Sequence, residues 1–455
     1  MSRTLLHPQA RLVDAASGRT VHGGELRGLV DAAAETYARC PSGVVLALMP
    51  TDVPAVTRYL GALAAHRPVA LLDPGLARAA LLDLIERYTP ALVTGVRDAP
   101  PAGYRAEDVA GLGPVWSRRA RDGVEPHPDL ALLLTTSGST GNPKLVRLSR
   151  DAVLANADAI ARSLGITGAE VAPTTLPFFY TYGLSVLNSH LLRGATVVLE
   201  TTGILQRDFW AAVRTHGVTS LAAVPYQYEM LRRLRFDPAG YPALRTLTQA
   251  GGRLRSELVA DFAGRMTAAG GRLFVMYGQT EATARMAVLP PERIADKLGS
   301  AGLPIPGGSL SVVDGEVVYR GPNTMMGYAA TAADLARGDD LGGVLHTGDL
   351  GHLDDEGFLF LTGRCKRIGK VFGVRVNLDD VEGALAPHGA VAAVAGDDRI
   401  HVFVEGADAA VARAVRGELA DRLDTHFSGL DVRGLDRLPL LPTGKVDYRS
   451  LEAQL

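Results

Sequence analysis

TTSGSTGNPK (residues 135–144) follows the apolar run LALLL (130–134) and precedes LVRLSR (145–150). Glycine, serine and threonine crowd into ten positions that end on one lysine. Two readings compete: a flexible linker, or a loop built to hold phosphate. A Gly-rich turn between a buried strand and a helix presents successive backbone N–H groups to an anion, and a helix N-terminus adds its dipole. Thr136, Ser137, Ser139 and Thr140 supply hydroxyl donors, and Lys144 supplies a point charge. Pro143 precedes the lysine and Leu145 follows it, so the Gly-Lys-Ser/Thr pattern of the Walker loop is absent. The ordered run before the loop and the helical pattern SRDAVLANADAIARSLG after it favour phosphate over linker.

Outward from the loop, apolar strands alternate with amphipathic helices. GVVLALM, RPVALLD and PALVTGV read as buried strands, with DVPAVTRYLGALAAH and LARAALLDLIERY as helices between them. GATVVLE, VTSLAAVP, LRTLTQAG and RLFVMYG continue the strand series. This alternation predicts an α/β fold with largely parallel sheets. Between Gly307 and Gly363 the texture changes. SLSVVDGEVVYRG and GFLFLTG alternate around Asp-Gly and Glu-Gly turns and predict hairpins. From about Lys366, short strands (AVAAVAG, IHVFVEG) flank one helix, DAAVARAVRGELADRL, as in a small α+β lobe.

The bulk numbers agree. A chain of 455 residues exceeds one ordinary core, so at least two domains are expected. A formal charge of −2 gives no global basic footprint for nucleic acid or an anionic membrane. Cys40 and Cys365 have no Cys or His partner at metal-ligand spacing and form no disulfide framework, so a reducing cytoplasm is the simplest compartment. The N-terminus lacks the apolar run of a signal peptide, and no stretch reaches bilayer length. His190, His216 and His346 stand without partners at ligand spacing and read as structural or surface residues.

TTSGSTGNPK resembles the signature loop of the adenylate-forming superfamily, the AMP-binding group that includes acyl-CoA synthetases, aryl-CoA ligases, stand-alone adenylation enzymes and luciferases. Companions follow in the family's order: MYGQTEAT (276–283), HTGDLG (346–351), GRCKRIGKVFGVRVN (363–377) and LPTGKVD (441–447). The resemblance runs from about Val44 to Tyr448. It implies a large N-terminal domain of α/β layers with a small β-barrel-like part (1–363) and a small, mobile α+β C-terminal domain (364–455).

The implied chemistry joins a carboxylate to the α-phosphorus of ATP, releasing pyrophosphate. Two anions must meet, so positive charge has to offset their repulsion. By resemblance, Thr136, Ser137, Gly138, Ser139, Thr140, Gly141 and Lys144 hold the outer phosphates. Thr280 contacts phosphate, and Glu281 is the protein ligand of Mg²⁺. Asp349 accepts the ribose hydroxyls with Arg364 beside it. Gly251, Gly252, Tyr277 and Gly278 form the adenine slot, where glycines let a flat base approach the backbone. Lys445 bridges the acid and the α-phosphate. Lys366 is the hinge about which the small domain rotates between half-reactions. The loop at Gly373 lines the thiol tunnel in members that use CoA or phosphopantetheine.

The pocket by resemblance comprises Tyr180, Tyr182, Ser185, Val186, Gly251 and Arg285. LPFFYTYGLS (176–185) carries no acid, which argues against an α-amino acid substrate. Tyr180 stands where many acyl and aryl ligases have histidine. Arg285 falls among positions that are usually apolar, and a buried arginine needs an anionic or hydrogen-bonding partner. Either it faces the pocket and selects a small, polar or anionic acid, or it turns away to a protein acid such as Glu229. The expected activity is an ATP-dependent acid–thiol ligase acting on a small-molecule acid, with CoA or a carrier protein in trans as acceptor. The alternative passes the adenylate to an amine or other nucleophile, and includes activation of an oxyanion such as nitrite. A binding protein with a dead site is disfavoured by the intact Lys144, Glu281, Asp349 and Lys445.

Overall fold

The computed structural model describes residues 4–120, 123–135, 144–365, 367–372, 374–423 and 425–455. An eight-stranded sheet organises the first part of the chain. Its centre is parallel: Val45–Leu48 lies between Val69–Leu72 and Leu92–Thr94, and Leu130–Thr135 pairs with Val69–Leu72. Both faces are covered, so these strands are apolar at almost every position. Val45 and Ala47 enter one hydrophobic cluster, while Val44 and Leu46 enter another on the opposite face. Leu132 and Leu134 against Leu133 repeat the division. The intervening helices begin where the sequence provides caps. Asp52 accepts from the Ala55 amide at 2.7 Å before helix Val53–Ala64, and Ser149 accepts from Ala152 at 3.1 Å before helix Arg150–Leu164.

The phosphate-loop strand departs from expectation. Leu130–Thr135 is followed by a second strand, Leu145–Ser149, which pairs with it antiparallel from Thr135↔Leu145 to Leu130↔Ser149. The Gly-rich stretch therefore joins two strands, and helix Arg150–Leu164 starts at the far end of the hairpin. The expected contribution of a helix dipole to this loop is withdrawn. The return strand was overlooked because LVRLS has a central arginine that reads as a solvent position. Arg147 is instead fully buried. It donates to the carbonyls of Met326, Arg337 and Gly338 and pairs with Asp340 at 2.6 Å.

A five-stranded sheet follows. Ser220–Ala223, Thr246–Gln249 and Arg272–Tyr277 run parallel, and Ala287–Leu289 and Leu303–Pro304 add antiparallel edges. Helices Arg150–Leu164 and Thr181–Leu192 contribute to the apolar cluster against this sheet, with Ile160, Tyr182, Ala222, Phe274 and Met276 at its heart. Trp210 of helix Arg207–Thr215 packs among Phe209, Phe236 and Tyr241 with ring centroids 5.0–5.2 Å away. Trp116 is buried in strand Gly113–Arg118, its indole N–H bonded to the Asp98 carbonyl.

The predicted hairpins form an antiparallel four-stranded sheet: Ser309–Val313, Glu316–Arg320, Val344–Leu353 and Leu359–Arg364. Asp314 and Gly315 turn its first hairpin with φ of 51° and 82°, as a two-residue turn requires. The chain then builds a smaller α+β unit with its own apolar cluster. Val391–Gly396 and Arg399–Glu405 form a hairpin, and helix Ala409–Arg422 crosses to the parallel strand Leu430–Leu435. This unit touches the larger part through Arg233–Glu405 at 3.3 Å and through the Arg255 guanidinium on the Ala386 carbonyl at 3.5 Å.

Candidate functional site

Three separate folding events bring Tyr277, Asp349, Arg364 and Lys445 together. Tyr277 ends a parallel strand, and its hydroxyl donates to Asp349 Oδ2 at 2.5 Å. Arg364 Nε donates to the other oxygen, Oδ1, at 3.1 Å, because Asp349 and Arg364 are register partners across two antiparallel strands. Burial pushes the Asp349 carboxyl upward in pKa, and Arg364 and the Tyr277 hydroxyl oppose that rise.

Lys445 reaches this neighbourhood from the C-terminal unit. Its ammonium lies 5.4 Å from the centroid of the Tyr180 ring, a cation–π contact. Gly444, at φ 77°, brings the chain so near the larger part that a Cβ would stand 2.9 Å from Val224 Cγ2. Burial pulls the lysine pKa down to about 8, and Arg364 lowers it further while Glu281 and Asp349 push it back. Those opposing influences place Lys445 in the electrostatic reach of three sequence-predicted residues.

Glu281 follows Thr280 in a short 3-10 turn after the strand. Thr181, at the start of helix Thr181–Leu192, donates its hydroxyl to Thr280 Oγ1 at 3.0 Å. Glu281 Oε1 accepts from the Tyr328 hydroxyl at 2.8 Å. Lys144 is exposed, and its ammonium lies 5.9 Å from the Tyr328 ring centroid. Tyr328 thus connects the end of the phosphate loop to Glu281. Sequence reading missed it, since MMGYAAT offers neither spacing nor charge as a signal. Thr136, Ser137, Gly138, Ser139, Thr140 and Gly141, together with Lys366 and Gly373, lie outside the described residues.

The adenine-slot glycines have intramolecular reasons to be glycine. A Cβ on Gly278 would stand 1.7 Å from the Ala284 carbonyl oxygen, so the loop 278–285 could not close over a side chain. Gly251 has φ 87°, and a Cβ there would meet the Tyr180 hydroxyl at 2.4 Å. Gly252 is open except for Pro225 at 3.3 Å. The expected reason, approach of a flat base, is therefore replaced at Gly278 and Gly251 by packing within the chain. Gly278→Ala is expected to destabilise the protein by about 2 kcal/mol or more, read as a lower urea midpoint. An unchanged midpoint would mean that the loop gives way freely.

Beyond Tyr180 lies a small cavity between helix Thr181–Leu192 and the five-stranded sheet. Tyr182, Ser185, Val186 and Arg285 line it, as do His190 and Thr248. Tyr180 and Gly251 stand beside it, with the Tyr180 and Tyr182 rings edge to face at 6.4 Å. The Tyr182 hydroxyl is anchored on Thr248 at 2.7 Å from Oγ1, and burial lifts its pKa to about 12. Ser185 and Ser189 direct their hydroxyls to helix carbonyls one turn back. His190 is 4% exposed and donates from Nδ1 to the Val186 carbonyl at 2.8 Å, because a carbonyl can only accept. Its Nε2 is left as an acceptor, 3.4 Å from the Ser220 hydroxyl. Read as a structural or surface residue, His190 is a wall of the cavity.

Arg285 resolves one of the two alternatives. Glu229 is engaged elsewhere, by Arg255 at 2.5 Å and by Arg232 at 2.9 Å. Arg285 faces the cavity with its guanidinium 4.8 Å from the Tyr182 ring centroid. Asn156 fixes its backbone from both sides, accepting from the Arg285 amide at 3.3 Å and donating to its carbonyl at 3.0 Å. Asn323 also donates to that carbonyl at 3.0 Å.

Among the described residues no three His, Cys, Asp or Glu side chains cluster as a metal cage, and no helix is long and apolar enough to cross a membrane.

Comparison with known proteins adds the following. Residues 7–329 match the model of the AMP-binding enzyme family. The chain is 30% identical to the isonitrile lipopeptide synthase of Streptomyces coeruleorubidus, over 96% of its own length and 32% of that protein. It is 33% identical to the 2-succinylbenzoate–CoA ligase of Bacillus velezensis, over 58% of its own length and 55% of the ligase. The chain thus spans about a third and about half of these curated relatives. Among solved structures, o-succinylbenzoate coenzyme A synthetase from Bacillus subtilis, in complex with ATP and magnesium ion, superposes with a TM-score of 0.75. The likeness covers 99% of this chain and 98% of that one at 24% identity, which shows a shared fold.

Proposed function

The chain belongs to the AMP-binding enzyme family, and we propose that it is an ATP-dependent ligase that activates a small or polar acid as its adenylate. The acid is not an α-amino acid, and the adenylate is passed to a thiol, either CoA or the phosphopantetheine of a carrier protein. The observation that carries this reading is the meeting of Lys445 with Tyr180, within reach of Asp349 and Glu281, from a separate unit of the chain. The names of the ligase relatives favour CoA as acceptor.

On this reading Asp349, oriented by Tyr277 and Arg364, accepts the ribose hydroxyls. Lys144 and the residues before it hold the outer phosphates. The Lys445 ammonium offsets the repulsion between the incoming carboxylate and the α-phosphate. One carboxylate, Glu281, suits Mg²⁺ held chiefly by phosphate oxygens and water, and the lack of a protein cage among the described residues agrees with that. Bound Mg²⁺ would neutralise phosphate charge. Residues 1–363 would form the nucleotide- and acid-binding domain, and 364–455 the domain that turns about Lys366. That turn would exchange Lys445 for the loop at Gly373, which would then face the thiol.

The test is ATP–pyrophosphate exchange across small acids and nitrite, followed by transfer to CoA, carrier protein or amine. At least one carboxylic acid is expected to support exchange and reach a thiol. Exchange with nitrite alone, or transfer to amine alone, would move the chain to the oxyanion or amine branch. Absence of exchange with every acid would sink the ligase reading.

A further inference from the structure

We infer that the acid this protein activates carries a second anionic group, in the simplest case a second carboxylate, and that Arg285 receives it. This rests on the adenylation reading above and narrows its substrate class. Arg285 is 2% exposed. Among the described residues its side chain makes no ion pair or hydrogen bond, and Nε is buried without an acceptor. Its one close partner is the face of Tyr182, which offers π density and no acceptor. Leaving a guanidinium buried without a counter-charge is costly. The other buried arginines satisfy themselves within the chain: Arg147 on Asp340 and three carbonyls, and Arg67 on the carbonyls that end a helix.

The arrangement around Arg285 is built rather than incidental. Asn156 and Asn323 hold its backbone, and Tyr182, itself pinned to Thr248, supports one face of its guanidinium. The planar fork of N–H groups suits a carboxylate, which accepts two parallel hydrogen bonds. Glu170 also borders the cavity, but Thr219 donates to it, and only Tyr182 and Tyr180 oppose the burial that lowers the Arg285 pKa. The net character of the Arg285 end is therefore cationic.

A series of contacts joins this end to the reacting end. Arg285 lies on Tyr182, Tyr182 meets Tyr180, and Tyr180 carries Lys445. A diacid lying along the two rings would place one carboxylate at Lys445 and the other at Arg285. The reacting carboxylate becomes a mixed anhydride with AMP, and the distal carboxylate stays unchanged as the handle.

The experiment pairs acids of equal carbon number in pyrophosphate exchange: malonate with propionate, succinate with butyrate, glutarate with valerate. The wild-type chain is expected to prefer at least one diacid by on the order of 10²-fold or more. Arg285→Met should abolish that preference and raise exchange with the monoacid, and Arg285→Lys should restore part of it. Equal exchange within every pair in the wild type, or a diacid preference that survives Arg285→Met, overturns the inference and leaves the ligase reading intact. If no acid supports exchange, thermal denaturation with the same diacids decides. Stabilisation lost in both Arg285 variants keeps the anion site while the ligase reading falls, and absence of stabilisation in the wild type removes both.

Discussion

Lys445→Ala is expected to lower acid-dependent pyrophosphate exchange by on the order of 10²–10³-fold, while thiol transfer from a supplied acyl-adenylate largely persists. The size follows from removing one pre-positioned charge from a site where two anions must meet. The asymmetry follows from the proposed rotation, in which Lys445 serves only the first half-reaction. Equal loss of both halves would remove Lys445 from that role. A pH dependence accompanies it. The depressed pKa of about 8 means that the free protein holds this ammonium charged below pH 8 and loses the proton above it. The kcat/KM for ATP in exchange should therefore fall above about pH 8, by tenfold per pH unit if the neutral amine is inert. Phosphate charge would raise the lysine pKa in the complex, so kcat should fall only at higher pH. A kcat/KM profile flat to pH 10 would contradict the assignment.

Arg147→Met is expected to destabilise the chain by about 3–5 kcal/mol, since it removes one partner of a buried ion pair and strips three carbonyls of their donor. Asp340 keeps Arg337 at 2.9 Å, which places the loss at the lower end of that range. Arg147 sits on the return strand of the hairpin that holds the Gly-rich loop, between its partners at Leu133 and Gly327. Loosening should therefore appear first as faster amide exchange in Leu145–Ser149 and only then as global unfolding. Arg147→Lys should recover little, because one ammonium cannot serve four acceptors spread across the fork. A urea midpoint unchanged in Arg147→Met would show that these bonds contribute nothing net.

What could be read from the sequence divides by distance along the chain. The parallel strands were legible because burial on both faces makes them apolar throughout, and the hairpin at Asp314–Gly315 because its turn chemistry is local. The family motifs named Tyr277, Glu281, Asp349 and Lys445 as one site, although nothing local places them together. The strand Leu145–Ser149 was illegible because the partner that makes Arg147 an interior residue, Asp340, lies 193 positions away. The direction of Arg285 was undecidable for the same reason, since Asn156, which fixes it, is 129 positions earlier. Tyr328 and His190 were missed because their roles come from what folding sets beside them. The adenine-slot glycines carried the wrong explanation, because a motif records which residue is required and not which neighbour requires it.

The two tryptophans have an optical consequence. Trp116 is enclosed in the eight-stranded sheet, and Trp210 is packed among Phe209, Phe236 and Tyr241; no other tryptophan occurs in the chain. Intrinsic indole emission therefore reports melting of the larger part and is blind to movement of the segment that carries Lys445. Phe427 is 54% exposed in that segment, so Phe427→Trp would install a third fluorophore without disturbing a buried ring. Emission polarisation from it would follow reorientation of the smaller unit during turnover, while the two native indoles serve as a stationary internal standard.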